Sequence, residues 1–383
     1  MEKIYIKENS KCSNVDKYLK PEYIYIPIND NKYIEKDYIY KNELITDNIY
    51  SPISGYVRDD TYKYINNKKT KCMVIENDYK EKNRSNKYVF NKDNFINTLI
   101  NNNLIDNYDE YNIKYLVINA IDIEPYIYSK KFYINNYTSE ILGIIDSIMT
   151  KLNISKSVIA VTSDELYNNL FNYIGTYPNI KIIEVDDYYP VGNNRVLFKE
   201  LFGYTYNKTS LERKVWILDI LSLIDVDSII KNNIPKNEKI ITIGGTSIKN
   251  SVIRVKIGTS VREIIKYLGG YKANDISITM GGPLTGKFID SDDTIITKDT
   301  TSIFMTKDKS IKEKECILCG RCNSVCPINL VPVFIMKNIN KEKILNKLNI
   351  NKCIECGLCS YICPAYINLK DYIIKAKGVI NNE

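Results

Sequence analysis

Eight cysteines in two tight runs carry the chemistry open to this chain. The first run, ECILCGRCNSVCP, holds Cys316, Cys319, Cys322 and Cys326; the second, KCIECGLCSYICP, holds Cys353, Cys356, Cys359 and Cys363. Each is C-x2-C-x2-C-x3-C-P, the spacing that binds paired [4Fe–4S] clusters. Three cysteines at three-residue intervals wrap a loop around one face of a cubane, and the fourth points away. In two-cluster proteins of this type that fourth thiolate ligates the other cluster. The expectation is one cluster on Cys316, Cys319, Cys322 and Cys363, and a second on Cys326, Cys353, Cys356 and Cys359.

Structural zinc uses paired C-x2-C units rather than runs of four. A disulfide framework needs an oxidising compartment, and the opening MEKIYIKENSKC has no apolar signal region. Gly320 and Gly357 follow the second cysteine of each run, where the backbone must turn sharply and aim N–H groups at sulfur. Pro327 and Pro364 end the runs. Ile317, Leu318, Ile354 and Ile362 are expected to wall off water, which tunes a cluster's potential.

The rest of the composition narrows the chemistry further. The chain has no histidine, which removes Rieske ligation, mixed Cys/His zinc sites and any histidine general base. Its formal charge of +7 falls to about +3 once two oxidised cubanes at roughly −2 each are counted. Lys and Arg are scattered, without the dense block of a nucleic-acid binder. Apolar stretches such as YLVINAI and ILGIIDSIM are too short to span a membrane. These features point to a cytoplasmic protein, bound at the inner face of a membrane only through partners. Cys12 and Cys72 lie outside the runs and read as free thiols.

The 383 residues must build the elements that hold these loops. Residues 22–77 alternate short apolar runs with turns and read as a small all-β unit. Residues 78–92 are polar and read as a linker, followed by a helix over 95–104. Residues 114–119 (KYLVIN), 157–162 (SVIAVT) and 180–185 (IKIIEV) read as strands of a parallel sheet with covering helices. Thr138 or Ser139 is expected to cap a helix that places Ile141, Ile144, Ile145, Ile148, Met149 and Leu152 on one face. From Lys239 onward the order strand, strand, helix near 260–268, strand suggests a β-grasp-like module. The glycine pairs Gly244–Gly245 and Gly281–Gly282 read as turns.

Taken together, the pieces resemble the RnfC subunit family of the Rnf electron-transport complex, including the electron-transfer protein associated with proline reductase. The likeness rests on SPISGYV (51–57), VINAIDIEPY (117–126), YPVGNNRVLF (189–198), MGGPLTG (280–286) and the two cysteine runs. It implies a multidomain α/β plus α+β chain. Its parts would be a lipoyl-like β hammerhead over 1–78, a complex-I-flavoprotein-like α/β domain over 93–235, a β-grasp domain over 236–305, and a ferredoxin-like two-[4Fe–4S] domain over 306–383. The family's α/β domain is similar to the NADH-binding flavoprotein subunit of complex I, where an Asn-x-x-acid-x-Glu-Pro segment contacts flavin; the resemblance places Asn119, Asp122 and Glu124 in those positions.

The chain departs from the family at the phosphate. Members that bind FMN and NADH carry a glycine-rich loop before this strand, because backbone amides cradle phosphate only where no side chain blocks approach. Here no glycine occurs between Gly55 and Gly143, and YPVGNNRVLF keeps one glycine where the pattern has two. SPISGYV likewise lacks the modifiable lysine of a lipoyl arm, and so reads as a docking module.

The resulting expectation is an electron-transfer protein whose redox centres are two [4Fe–4S] clusters, without FMN or NADH. The alternatives are an FMN-dependent NADH oxidoreductase subunit and a non-redox interaction module stabilised by its clusters. The implied partners are redox proteins: ferredoxin, Rnf-type membrane subunits or an amino-acid reductase.

Overall fold

The computed structural model describes residues 2–6, 13–28, 33–46, 49–83, 88–105, 113–203, 214–307 and 312–380. Cys12 lies outside them.

The N-terminal strands are β1 (Ser13–Tyr18), β2 (Tyr23–Pro27), β3 (Tyr38–Ile39), β4 (Leu44–Thr46), β5 (Ile49–Tyr50), β6 (Gly55–Ile65) and β7 (Lys68–Asn77). Four of them form an antiparallel sheet in the order β2-β7-β6-β3, around a core that includes Ile24, Ile26, Ile39, Ile53, Met73 and Ile75. At the SPISGYV turn, Ser51 Oγ donates to Ile53 O at 2.6 Å and Ser54 Oγ donates to Asp78 Oδ1 at 2.6 Å. Asp78 also accepts from Tyr38 Oη at 2.7 Å, and Glu81 pairs with Lys41 at 2.8 Å. The start of the expected linker is therefore bound to this sheet. β1 joins a different sheet, pairing in parallel with a strand at 251–256.

The next unit is α1 (Lys92–Asn101), β8 (Tyr115–Asn119), α2 (Ser129–Leu152), β9 (Lys156–Val161), α3 (Asp164–Phe171), β10 (Ile180–Glu184), α4 (Asn194–Phe202), β11 (Val215–Asp219) and α5 (Leu223–Asn232). Its sheet is parallel throughout, ordered β10-β9-β8-β11. β8 is buried from Leu116 to Asn119, the near-continuous apolar run of a strand covered on both faces. The six apolar residues expected on one helix face all enter the main core.

The helical run begins at Ser129, but it is two helices joined across a break, and the second begins beside the expected cap at Thr138 or Ser139. Tyr137 breaks helical geometry with φ −134° and ψ 25°, and Thr138 Oγ1 donates back to Ile134 O at 2.6 Å. A hydroxyl that bonds backward bends a helix rather than starting one. Strand β11 and helix α5 escaped the sequence reading; VWILD pairs with β8 over its full length.

The third unit comprises β12 (Glu238–Gly244), β13 (Ser251–Lys256), α6 (Val261–Tyr267), β14 (Ile276–Met280), β15 (Lys287–Ile289) and β16 (Ser302–Lys307). The six-stranded sheet runs β1-β13-β12-β16-β14-β15, with β12 and β16 parallel at its centre. Ser260 caps α6 by accepting from Glu263 N at 3.3 Å, as S-x-x-E predicts.

The C-terminal unit is helical: α7 (Arg321–Ser324), α8 (Pro332–Lys337), α9 (Glu342–Lys347), α10 (Leu358–Tyr361) and α11 (Leu369–Ile380). Among the described residues no helix is long and apolar enough to cross a membrane.

Candidate metal centre

The two cysteine runs adopt the same backbone. Leu318 and Glu355 take φ of 56° and 57°, Gly320 and Gly357 take 73° and 77°, and Asn329 and Tyr366 both take 55°. At the paired glycines a Cβ would cost about 1–2 kcal/mol from conformation alone. At Gly357 that Cβ would also meet Leu284 O at 2.5 Å, whereas at Gly320 it would meet nothing within 4 Å.

The chain brings the eight thiols together as two sets of four. Cys316, Cys319, Cys322 and Cys363 line one cavity with Val333, Ala365 and Ile367. Cys326, Cys353, Cys356 and Cys359 line another with Ile354, Leu358 and Lys370. Each cavity has about 370 Å3 of space counted to its open mouth. Each takes three thiols from one run and the last thiol of the other. The short helix inside each run makes this exchange: α7 and α10 carry Cys326 and Cys363 past their own loops.

The donors fit a cubane. Among the described residues no three Cys, Asp or Glu side chains are drawn in tightly enough to hold a single ion, while four thiols ring each cavity. Backbone N–H groups aim at the sulfurs: Leu330 N donates to Cys326 Sγ at 3.2 Å and Glu355 N to Cys353 Sγ at 3.4 Å. Val333, Leu358 and Ser360 N–H groups do the same for Cys322, Cys356 and Cys359. Burial pushes Cys356 and Cys359 up to about 12 and raises Cys322 and Cys353. Iron must then displace the protons, so cluster assembly is favoured as pH rises.

The walls differ from expectation on one side. Ile317 and Leu318 line the first cavity but are 69% and 62% exposed, so their outer faces meet solvent rather than other parts of the protein. Ile354 packs on the cluster that includes Val117, Val191 and Leu197 of the α/β unit, and Ile362 packs beside Tyr189 and Leu358. Tyr189 Oη donates to Cys356 O at 2.5 Å, and Arg195 Nη1 to Lys352 O at 3.4 Å. The N-terminal segment adds a strap: Glu2 N donates to Ser324 O at 3.0 Å and Ile4 bridges to Tyr189.

Asn119, Asp122 and Glu124 stand at the carboxyl end of β8, each bonded within the protein. Asn119, 1% exposed, donates from Nδ2 to Gly192 O and Asn194 Oδ1, both at 2.8 Å. Asp122 Oδ1 accepts from Lys130 N at 2.9 Å in the first turn of α2; its carboxylate is enclosed although the residue reaches the surface, and burial pushes it up to about 7. Glu124, 3% exposed, accepts from Leu284 N at 2.7 Å, Thr285 N at 3.1 Å and Thr285 Oγ1. Burial raises its pKa against those donors. MGGPLTG is thus a turn that clasps Glu124, and a Cβ at Gly282 would strike the carboxylate.

In this strand order the chain reverses between β8 and β11, where open α/β sheets bind their ligands. Lys130 fills that point: its Nζ pairs with Asp219 Oδ2 at 2.6 Å and donates to Asn119 O at 3.2 Å. Sequence reasoning missed Lys130 because β11, which carries Asp219, went unread. Cys72 is fully buried, donates weakly to Thr70 O at 3.6 Å, and is pushed up to about 11 by burial, as an inert thiol should be.

Fold and thiol geometry together define an iron–sulfur protein with an attached α/β unit. Residues 315–367 match the family described as "4Fe-4S dicluster domain" and residues 103–233 the "Nuo51 FMN-binding domain". The C subunit of an ion-translocating oxidoreductase complex from Buchnera aphidicola is 32% identical over 70% of this chain and 59% of its own length. The C subunit of a proton-translocating ferredoxin:NAD(+) oxidoreductase complex from Clostridium ljungdahlii is 27% identical over 56% of this chain and 49% of its own. An NAD+-reducing [NiFe]-hydrogenase structure covers 70% of this chain and 52% of that chain, at 11% identity and a TM-score of 0.48. The chain belongs to the RnfC family, and its cofactors are [4Fe–4S] clusters. It spans about half to three-fifths of the length of the curated relatives it matches.

Proposed function

We propose that the chain is an electron-transfer protein that passes single electrons between protein partners through two [4Fe–4S] clusters, without flavin or nicotinamide. The ligand sets are Cys316, Cys319, Cys322 and Cys363, and Cys326, Cys353, Cys356 and Cys359. One observation carries the reading: each cavity is ringed by four thiols drawn from both runs. When bound, the clusters supply one-electron redox chemistry at potentials set by burial and N–H···S bonds. The protein's own work is to shield Cys356 and Cys359 behind Tyr189 and the 280–286 turn, and to present Cys319 at the surface.

The α/β unit acts in this reading as a scaffold. FMN does not fit its residues: Asn119, Asp122 and Glu124 are spent on internal bonds, Lys130 occupies the crevice, and no glycine cradle precedes β8. The match to an FMN-binding family favours a second reading, a flavin-dependent NADH oxidoreductase subunit. The sheets support division into a lipoyl-like unit, an α/β unit, a β-grasp unit (strand order β13-β12-β16-β14-β15) and the cluster unit, near residues 78, 93–235, 236–305 and 306 onward. The partners would be the other subunits of an Rnf-type complex at the inner membrane face, ferredoxin, or an amino-acid reductase.

Anaerobic purification with iron and flavin counts decides between the readings. About eight irons per chain without flavin is the expected result; stoichiometric FMN would establish the second reading, and an iron-free or zinc-loaded protein would end the first.

A further inference from the structure

The two cysteine runs are copies, and the copying fails at one electrically important position. Seven residues beyond the last cysteine of each run stand Val333 and Lys370. Helices α8 and α11 begin one residue earlier, at Pro332 and Leu369, so the positions are equivalent in structure as well as in sequence. Val333 lines the first cavity and Lys370 lines the second.

Lys370 is 9% exposed. Its ammonium donates to Leu284 O at 3.3 Å and Thr285 O at 3.2 Å, the carbonyls of the turn whose amides hold Glu124. Among the described residues it forms no ion pair with a carboxylate, and Glu124 attracts it only from across that turn. Lys377, on the same helix, is by contrast paired with Glu355 at 2.7 Å. The charged residue on the first cavity, Arg321, is exposed to solvent. A buried cation without a neighbouring anion is costly. Two charges are within reach of Lys370: Glu124 across the turn, and the cavity its stem lines, where four thiolates and a cubane together carry roughly −2.

We infer that Lys370 is the built-in counter-charge of the second cluster and raises its reduction potential above the value the same four thiolates would give alone. The inference rests on the two-cluster reading. Reduction by a one-electron donor takes the ligated cluster from about −2 to about −3, so the ammonium's attraction grows with the added electron and favours the reduced form. The first cluster, with Val333 in the equivalent place, receives no such help. The turn at 284–285 fixes the ammonium by its two carbonyls, tying this charge to Glu124 of the α/β unit.

The test is a dithionite titration of the full chain followed by electron paramagnetic resonance, after iron has been counted. Lys370→Met is expected to move one of the two reduction waves to more negative potential and leave the other in place. Lys370→Arg keeps the charge and is expected to keep both waves. Lys370→Gln, which can still donate to the turn, should shift like Lys370→Met. Loss of about four irons from both neutral variants, with Lys370→Arg intact, would show that the charge holds the second cluster in place rather than setting its potential, and would overturn the inference as well. Unmoved waves in both neutral variants, or an equal shift or loss in Lys370→Arg, would overturn the inference while leaving the two-cluster reading standing. A wild-type chain without cubanes would remove both.

Discussion

The two cysteine loops share a spacing and a set of backbone angles, yet they occupy different surroundings. The first presents Ile317, Leu318 and an exposed Cys319 to solvent. The second is pressed from several directions: Tyr189 on the Cys356 carbonyl, Leu284 O against Gly357, Ile354 on the α/β core, and the Lys370 stem along the cavity wall. Identical local chemistry thus yields one site whose loop meets solvent and another whose surroundings are set by the rest of the molecule. A cluster's potential depends on charge, hydrogen bonds and solvent, so equivalence of ligands is not equivalence of function.

The largest effects should come from removing ligands. Cys319→Ala and Cys356→Ala are each expected to lose about four of about eight irons and to halve the visible absorbance. Retention of all iron in either variant would break the ligand assignment. Glycine substitutions sharpen the contrast next. Gly320→Ala should lower stability by about 1–2 kcal/mol, the left-handed backbone penalty. Gly357→Ala should cost clearly more, because its methyl also strikes Leu284 O. Chemical denaturation of the two variants side by side gives the comparison, and equal losses would show that the packing around Gly357 is not tight.

Glu124→Ala strands two amides and a hydroxyl of the 280–286 turn and should cost about 2–3 kcal/mol. Flavin content should stay at zero in this variant and its parent; a parent with FMN that Glu124→Ala loses would assign the residue to flavin instead. Air exposure should bleach the protein in two phases, the open cluster first, with iron release followed by chelator absorbance. The smallest change is expected from Ile317→Ser with Leu318→Ser. Stability should move by no more than about 0.5 kcal/mol, as at other exposed positions, while the rate of electron uptake from a protein donor falls. An unchanged rate would show that the open face is not where donors arrive.

Much of this was readable in advance from particular residues. The exchange of Cys326 and Cys363 followed from the three-residue spacer before each last cysteine. Buried parallel strands were legible because YLVIN and SVIAV are continuous apolar runs, and α6 because a helical stretch near 260–268 interrupts a series of short strands. The segment of α2 from Ser129 to the break at Tyr137 went unread, because Thr138 looks like the first cap whenever its backward bond to Ile134 is unseen. Ile317 and Leu318 were misplaced because apolarity says nothing about whether a neighbour exists to cover it.

The chain alone determined which thiols share a cavity, the run of parallel strands and the missing phosphate loop, because spacing, apolar periodicity and glycine content are local properties written in order along it. Only the tertiary structure decided that Lys130 closes the crevice, that Glu124 holds a turn 160 residues away, and that Lys370 is buried on the wall of the second cavity and held by that same turn. Those depend on which distant groups meet after the elements pack, and an electrostatic environment is a sum over neighbours in space rather than in sequence.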